Sequence, residues 1–230
     1  MIKIKNLSVV LGKQTILDDV NLDIKKGKRT VIVGESGSGK SVLVKCIMGL
    51  LHPTSGQIEI EGIDLSKAKG KQILQIKKNI SMLFQSSALL DSLSVYQNVA
   101  LPLFEHRRKL KEDTIKSIVG QKLEMVGLHD VAHKMPAELS GGMQKRVALA
   151  RAITLDPLYI IYDEPTTGLD PTTAKGIIDL INSIHNKGGF TSIIITHDKD
   201  CVRENSDVVA HLINKKIKFY EDPKDYVWAV

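Results

Sequence analysis

Eight consecutive residues, Gly34-Glu35-Ser36-Gly37-Ser38-Gly39-Lys40-Ser41, carry the G-x-x-x-x-G-K-[ST] spacing of a phosphate-binding loop. Glycines let such a backbone curl with its N–H groups turned inward toward phosphate oxygens. The N-terminus of the helix that follows adds a partial positive charge. Lys40 is then the cation for the β- and γ-phosphates of a nucleotide such as ATP, and the Ser41 hydroxyl is a ligand for Mg²⁺. A Gly/Ser-rich loop can match by chance. Here the apolar run Val31-Ile32-Val33 precedes it and an apolar helical stretch follows, as the chemistry needs.

A second group of reactive residues sits at the end of Tyr159-Ile160-Ile161-Tyr162, an apolar strand that delivers Asp163 and Glu164. Asp163 suits Mg²⁺, generally through water, and Glu164 suits polarising the attacking water. Successive strand residues point to opposite faces, so this pair serves two roles only because the strand is ending. His197 follows Ile193-Ile194-Ile195-Thr196. It lies where ligands of open α/β sheets collect, placed to contact the γ-phosphate. Alone, either feature reads equally well as a solvated strand end.

Leu139-Ser140-Gly141-Gly142-Met143-Gln144 opens a helix that contains Lys145, Arg146 and Arg151. One reading is an ordinary N-cap serine with a flexible glycine pair. The other is a second anion site made of bare N–H groups, a hydroxyl and a helix dipole. One nucleotide needs only one such site per chain, so the second is expected to serve a neighbouring subunit.

These groups require a particular order of elements. Short alternating pieces around Gly12 and Gly27 predict an N-terminal antiparallel sheet. A strand at Thr30 to Val33, the Gly/Ser loop and a helix from about Ser41 to Leu51 open a parallel α/β unit. Pro53 to Gly56 is a turn, and Gln57 to Glu61 a strand. Helical periodicity dominates from about Ser86 to Leu155, broken at Pro102, Gly127 and Pro136. Strands return at Tyr159–Tyr162 and Ser192–Thr196, with a helix around Thr173 to His185 between them. The expected fold is one α/β domain over 1–230. A nucleotide-binding core of 1–85 and 156–230 is interrupted by a helical subdomain at 86–155.

In this order the motifs resemble those of the ATPase subunits of ABC transporters, whose signature is LSGGQ. The resemblance covers nearly the whole chain: phosphate loop, Gln85, Leu139 to Met143, Asp163-Glu164, Thr167-Gly168-Leu169-Asp170 and His197. It implies a RecA-like phosphate-loop core with an antiparallel β-subdomain and an inserted helical signature subdomain. It also implies that Gln85 senses Mg²⁺ and couples to a membrane partner. Ser140, Gly141 and Gly142 would clamp ATP bound to the opposite subunit of a homodimer, and Asp170 would lie in the loop linking the two sites. Two positions depart from the family. Met143 replaces the final Gln of the signature, and Leu11 stands before Gly12 where an aromatic is frequent, so adenine stacking should be weaker.

The stretch from Ser81 to His106, with Phe84-Gln85-Ser86, Asn98-Val99, Pro102-Leu103 and Glu105-His106, is similar to the corresponding segment of the Mla/MCE-type lipid-transport ATPases. That likeness implies an integral-membrane permease, an MCE-domain lipid-binding protein and a STAS-like subunit as partners. Members of that group often carry a longer C-terminal tail that reaches the neighbouring protomer; this sequence stops at Val230, soon after Asp222-Pro223, which leaves that contact an open question. The alternative within the family is an importer for small polar solutes such as amino acids. A cytosolic ABC protein working on nucleic acid would suit the net charge of +6. Such proteins usually have two ATPase domains or a long coiled coil, and 230 residues without sustained heptads argue against it.

Composition agrees with a cytoplasmic protein, and the resemblance implies attachment to the inner face of the inner membrane through the permease. The N-terminus lacks a signal-peptide core, and no apolar run approaches the roughly 20 residues that span a bilayer. Cys46 and Cys201 form no metal or disulfide pattern.

Overall fold

A computed structural model describes residues 1–107 and 109–227. Val230, on which the question of the tail contact rests, lies outside the described residues.

In chain order the first elements are strands β1 (Ile2–Leu11), β2 (Gln14–Ile24) and β3 (Arg29–Val33), then helix α1 (Lys40–Ile47). Next come β4 (Ser55–Ile60), β5 (Ile63–Asp64), α2 (Lys71–Asn79) and β6 (Ile80–Leu83). Helices α3 (Val95–His106), α4 (Glu112–Met125) and α5 (Gly141–Ala152) follow, then β7 (Tyr159–Asp163) and α6 (Pro171–Gly188). The chain closes with β8 (Thr191–Ile195), α7 (Lys199–Asn205), β9 (Val208–Ile213) and β10 (Lys216–Tyr220). The α/β class with both antiparallel and parallel sheets is as the sequence predicted.

The chain forms two compact units, 1–77 with 191–230, and 78–190. In the first, β1 pairs antiparallel with β2 and β4, and its alternating Ile2, Ile4, Leu7 and Val9 are buried. Strand β3 pairs in parallel with β8 and β9, and β9 turns back antiparallel to β10. A strand flanked on both sides reads as a continuous apolar run, and Val31, Ile32 and Val33 are each 0% exposed. The Arg29 guanidinium pairs with Asp207 at 2.9 Å, tying the start of β3 to the residue before β9.

In the second unit β6 and β7 pair in parallel, registered by Leu158 N–H donating to Asn79 C=O at 2.9 Å. Helices α3, α4 and α5 pack together through Val95, Val99, Leu103, Val119, Leu123, Val147 and Leu149, all buried.

Three local expectations are corrected. Pro102 does not break the helical stretch but sits inside α3. An interior proline costs about 3 kcal/mol. Here the helix is secured by a capping box between Ser94 and Gln97 and by a buried face, which offset that cost. Helix α1 ends at Ile47 rather than Leu51: Gly49 takes φ 66°, and the Leu50 and Leu51 amides both fold back on the Lys45 carbonyl. Residues 86–94 form neither helix nor strand, so the helical periodicity expected from Ser86 begins only at Val95. Elements β5, α2, β6, α7, β9 and β10 are not among those the sequence predicts.

Candidate functional site

In the first unit the buried strand β3 ends at Val33 and α1 starts at Lys40, leaving Gly34 to Gly39 as the connection. Gly39, the residue before the helix, has φ 109°, and a Cβ there would lie 3.1 Å from both Ile16 and Leu17 side chains. Only glycine fits that bend. Lys40 Nζ donates to the Gly34 carbonyl at 2.8 Å and to the Glu35 carbonyl at 2.9 Å, drawing the loop round its own lysine. The first turn of α1 holds no acidic residue, so nothing there neutralises the positive end of the helix dipole. The Ser38 hydroxyl oxygen is buried and lacks a hydrogen-bond partner. A helix N-terminus, a lysine and an orphaned hydroxyl on one loop suit an anion. Ser41 is exposed on the first turn of α1, next to Lys40.

His197 is exposed just past β8 and shares a cavity of about 600 Å³ with Gly34, Glu35, Ser36, Gly37 and Ser38. The structure therefore brings His197 to the phosphate loop. His211 and Tyr226 also line this cavity, with their rings 5.4 Å apart in a T-shaped contact. Burial holds the His211 imidazole below its ordinary pKa; Lys218 adds to this and Glu35 opposes it. These two rings come from parts of the chain that the sequence reading passed over. Leu11 is 44% exposed at the end of β1.

In the second unit β7 ends at Asp163, and Glu164 takes the left-handed φ of 46°. The strand thus ends between the two carboxylates, where the sequence places its end. Thr167 Oγ1 donates to Glu164 Oε2 at 3.4 Å, and the Asp170 carboxylate accepts the Thr173 amide at 3.0 Å as the N-cap of α6. The Thr173 hydroxyl and amide hold the Asp170 carboxyl below the usual carboxylate range.

Ser140 is the N-cap of α5, its hydroxyl accepting the Met143 amide at 3.3 Å. The capping role and the anion-site role are compatible, because the serine O–H is a donor while its oxygen accepts. Ser140 and Gly141 are exposed, and the first turn of α5 has no acidic residue. Gly142 faces α6: a Cβ there would lie 2.5 Å from Thr173 Cγ2. The signature turn and the loop ending in Asp170 are thus packed together.

Lys145, to which the sequence reading gave no role, is 4% exposed, and its Nζ donates to the Gln85 carbonyl. Burial lowers its pKa, while the charges of Asp163 and Glu164 act to raise it. One lysine thereby stands among Gln85, Asp163 and Glu164. Its neighbours Gln144 and Arg146 are polar as well, so nothing in the sequence marks Lys145 as the buried cation, and periodicity does not say what it touches.

Residues 17–167 match the ABC transporter family. The chain is 43% identical over 217 residues to the intermembrane phospholipid transport system ATP-binding protein MlaF of Haemophilus influenzae, covering 94% of this chain and 82% of that protein. It is 42% identical over 219 residues to the methionine import ATP-binding protein MetN of Campylobacter jejuni, covering 89% of this chain but 65% of that protein. Among solved structures, the ATP-binding cassette MJ0796, determined as a dimer in a post-hydrolysis state with ADP and Pi, superposes with a TM-score of 0.85 at 32% identity. That match covers 96% of this chain and 98% of MJ0796.

Proposed function

The chain belongs to the ABC transporter family as an ATP-binding, ATP-hydrolysing subunit, and from that premise we propose that its hydrolysis powers phospholipid transport across or between membranes. The observation that carries the lipid reading is the likeness to MlaF over 94% of this chain and 82% of that protein, together with the Ser81–His106 segment. In that segment Phe84, Leu90 and Phe104 are large apolar side chains left 40%, 45% and 44% exposed, an apolar surface suited to a permease helix.

In this reading the backbone of Gly34 to Gly39 and the Lys40 ammonium hold the phosphates of ATP. Ser41, Gln85 and Asp163 offer a hydroxyl, an amide oxygen and a carboxylate, the hard oxygen donors Mg²⁺ takes when substrate phosphates complete its shell. Bound Mg²⁺ supplies charge neutralisation on the phosphates. Glu164 accepts a proton from the attacking water, and His197 hydrogen-bonds the γ-phosphate. Ser140, Gly141 and Gly142 clamp ATP held by the other subunit of a homodimer, with Asp170 linking the two sites. Residues 86–155 act as the helical subdomain and 1–85 with 156–230 as the core.

The dimer works with an integral-membrane permease at the cytoplasmic face of the inner membrane. An MCE-domain lipid-binding protein and a STAS-like subunit complete the complex, and nucleic acid is not a partner. No helix among the described residues is long and apolar enough to cross a membrane. The likeness to MetN favours an amino-acid importer as the second reading.

The test is transfer of labelled phospholipid by the reconstituted complex, with wild type against a Leu89→Asp, Leu90→Asp double variant. Two charges in the docking surface should abolish permease binding and lipid transfer while the isolated subunit keeps its ATPase activity. Uptake of an amino acid without lipid transfer by the wild-type complex would overturn the lipid reading in favour of the second.

A further inference from the structure

The segment that begins at Gln85 is held by side chains that grip its backbone. Lys145 Nζ donates to the Gln85 carbonyl. Arg151 forks across the next turn, Nη2 donating to the Ser87 carbonyl at 3.0 Å and Nη1 to the Ala88 carbonyl at 2.8 Å. Both cations belong to α5, the helix whose N-terminus is Ser140. Ser87 and Ala88 have φ of 62° and 46°, a left-handed conformation that non-glycine residues keep only where surroundings impose it. Farther along, buried Asn98 donates through Nδ2 to the carbonyls of Leu90, Leu93 and Ser94 and accepts the Leu90 amide. The segment is thus anchored at both ends through main-chain atoms. Its course follows α5 and α3 whatever side chains it carries.

We infer that Lys145 and Arg151 are positioning residues that lock Gln85–Ala88 to the signature helix, so that engagement of ATP at Ser140 and the placement of Gln85 change together. Charge-assisted hydrogen bonds to carbonyls are short and directional, and an arginine fork across two carbonyls fixes orientation as well as distance. A displacement of α5 therefore carries the carbonyls of Gln85, Ser87 and Ala88 with it. The inference rests on the role given above to Gln85 in Mg²⁺ sensing and permease coupling.

The test compares Lys145→Met, Lys145→Arg and Gln85→Ala in ATP affinity, kcat and the Mg²⁺ concentration for half-maximal hydrolysis. Lys145→Met should leave ATP affinity within about twofold, lower kcat by about tenfold or more and raise the Mg²⁺ requirement, with Lys145→Arg recovering most of the loss. A lysine that merely stabilises the fold would not move the Mg²⁺ requirement. If Gln85→Ala changes kcat and the Mg²⁺ requirement but Lys145→Met changes neither, the lock is overturned and the role of Gln85 stands. If Gln85→Ala changes neither, the role of Gln85 falls and the lock with it. Should Lys145→Met not fold, Arg151→Lys carries the test, since one ammonium does not reproduce the fork. Faster hydrogen exchange of amides 86–90, with weaker stimulation of ATPase activity by the permease, supports the lock. Unchanged exchange and stimulation overturn it.

Discussion

The Lys40 ammonium lies 2.8 Å from the carbonyl oxygen of Gly34, so the cation at the start of α1 and the first residue of the phosphate loop are directly bonded. The lysine is therefore a structural tie, and in the proposed function it is also the charge offered to a nucleotide. Lys40→Ala should abolish ATP binding, measured by calorimetry. Glu164→Gln should bind ATP normally and lose hydrolysis by about 10²-fold or more, because only the group acting on water is changed. It should also accumulate as an ATP-bound dimer on size exclusion. Wild-type turnover by Glu164→Gln would remove it from the catalytic role.

The exposed Ser140 cap gives a test of site sharing. Ser140→Arg places a bulky cation at the turn while leaving the Lys40 loop intact, so each subunit should bind ATP and none should hydrolyse it. Mixing it with Lys40→Ala should restore partial activity, since a heterodimer then has one site with both defects and one with neither. Absence of rescue in demonstrated heterodimers would mean that the sites fire only together or that Ser140 acts within its own chain.

The approach of Gly142 to Thr173 gives a steric prediction. A Cβ 2.5 Å from Thr173 Cγ2 forces a shift of α5 against α6, so Gly142→Ala should lower stability by about 1–3 kcal/mol and impair hydrolysis. Thr173→Ser removes that methyl while keeping the hydroxyl and the amide held by Asp170. The double variant should regain most of the stability, measured by urea unfolding. Equal stability of the single and double variants would show that the two elements separate without cost.

Leu11 offers no π-face to a base, and phosphate contacts carry most of the binding. GTP should be hydrolysed within about tenfold of ATP, a discrimination of about 1.4 kcal/mol or less. A thousandfold preference for ATP would mean that another group reads adenine, and the rings of His211 and Tyr226 would be the first to replace.

The Arg29–Asp207 pair predicts a pH dependence. Burial acts to raise the Asp207 carboxyl, but hydrogen bonds from the Arg29 side chain and amide and its charge outweigh this, leaving the pKa below its ordinary 3.8. A carboxyl depressed by folding stabilises the protein above its unfolded pKa, and the contribution disappears as pH falls through the folded value. Asp207→Asn should therefore cost about 1–2 kcal/mol at pH 7, and the difference from wild type should shrink below about pH 4. A difference independent of pH would assign the effect to packing.

What the sequence by itself determined was the set of motifs that depend on residue order along a few contiguous positions, and with them the family. The spacing Gly34 to Ser41 specifies a backbone cradle, because turn geometry and a following helix N-terminus are local. The apolar run ending in Asp163-Glu164 and the family order of Gln85, Ser140–Gly142, Asp170 and His197 were legible for the same reason. Strand β3 was readable because a strand flanked on both sides must be apolar throughout. Tertiary structure decided everything that depends on distant partners. Pro102 stays helical because a buried face and the Ser94–Gln97 box offset a missing N–H, a balance invisible to local propensity. Lys145 is a charge near Asp163 and Glu164 that grips Gln85, and Arg151 grips Ser87 and Ala88, across 60 to 64 residues of chain. Hydrogen bonds from long side chains to main-chain carbonyls leave no trace in the identity of the accepting residue, so only the folded backbone reveals them.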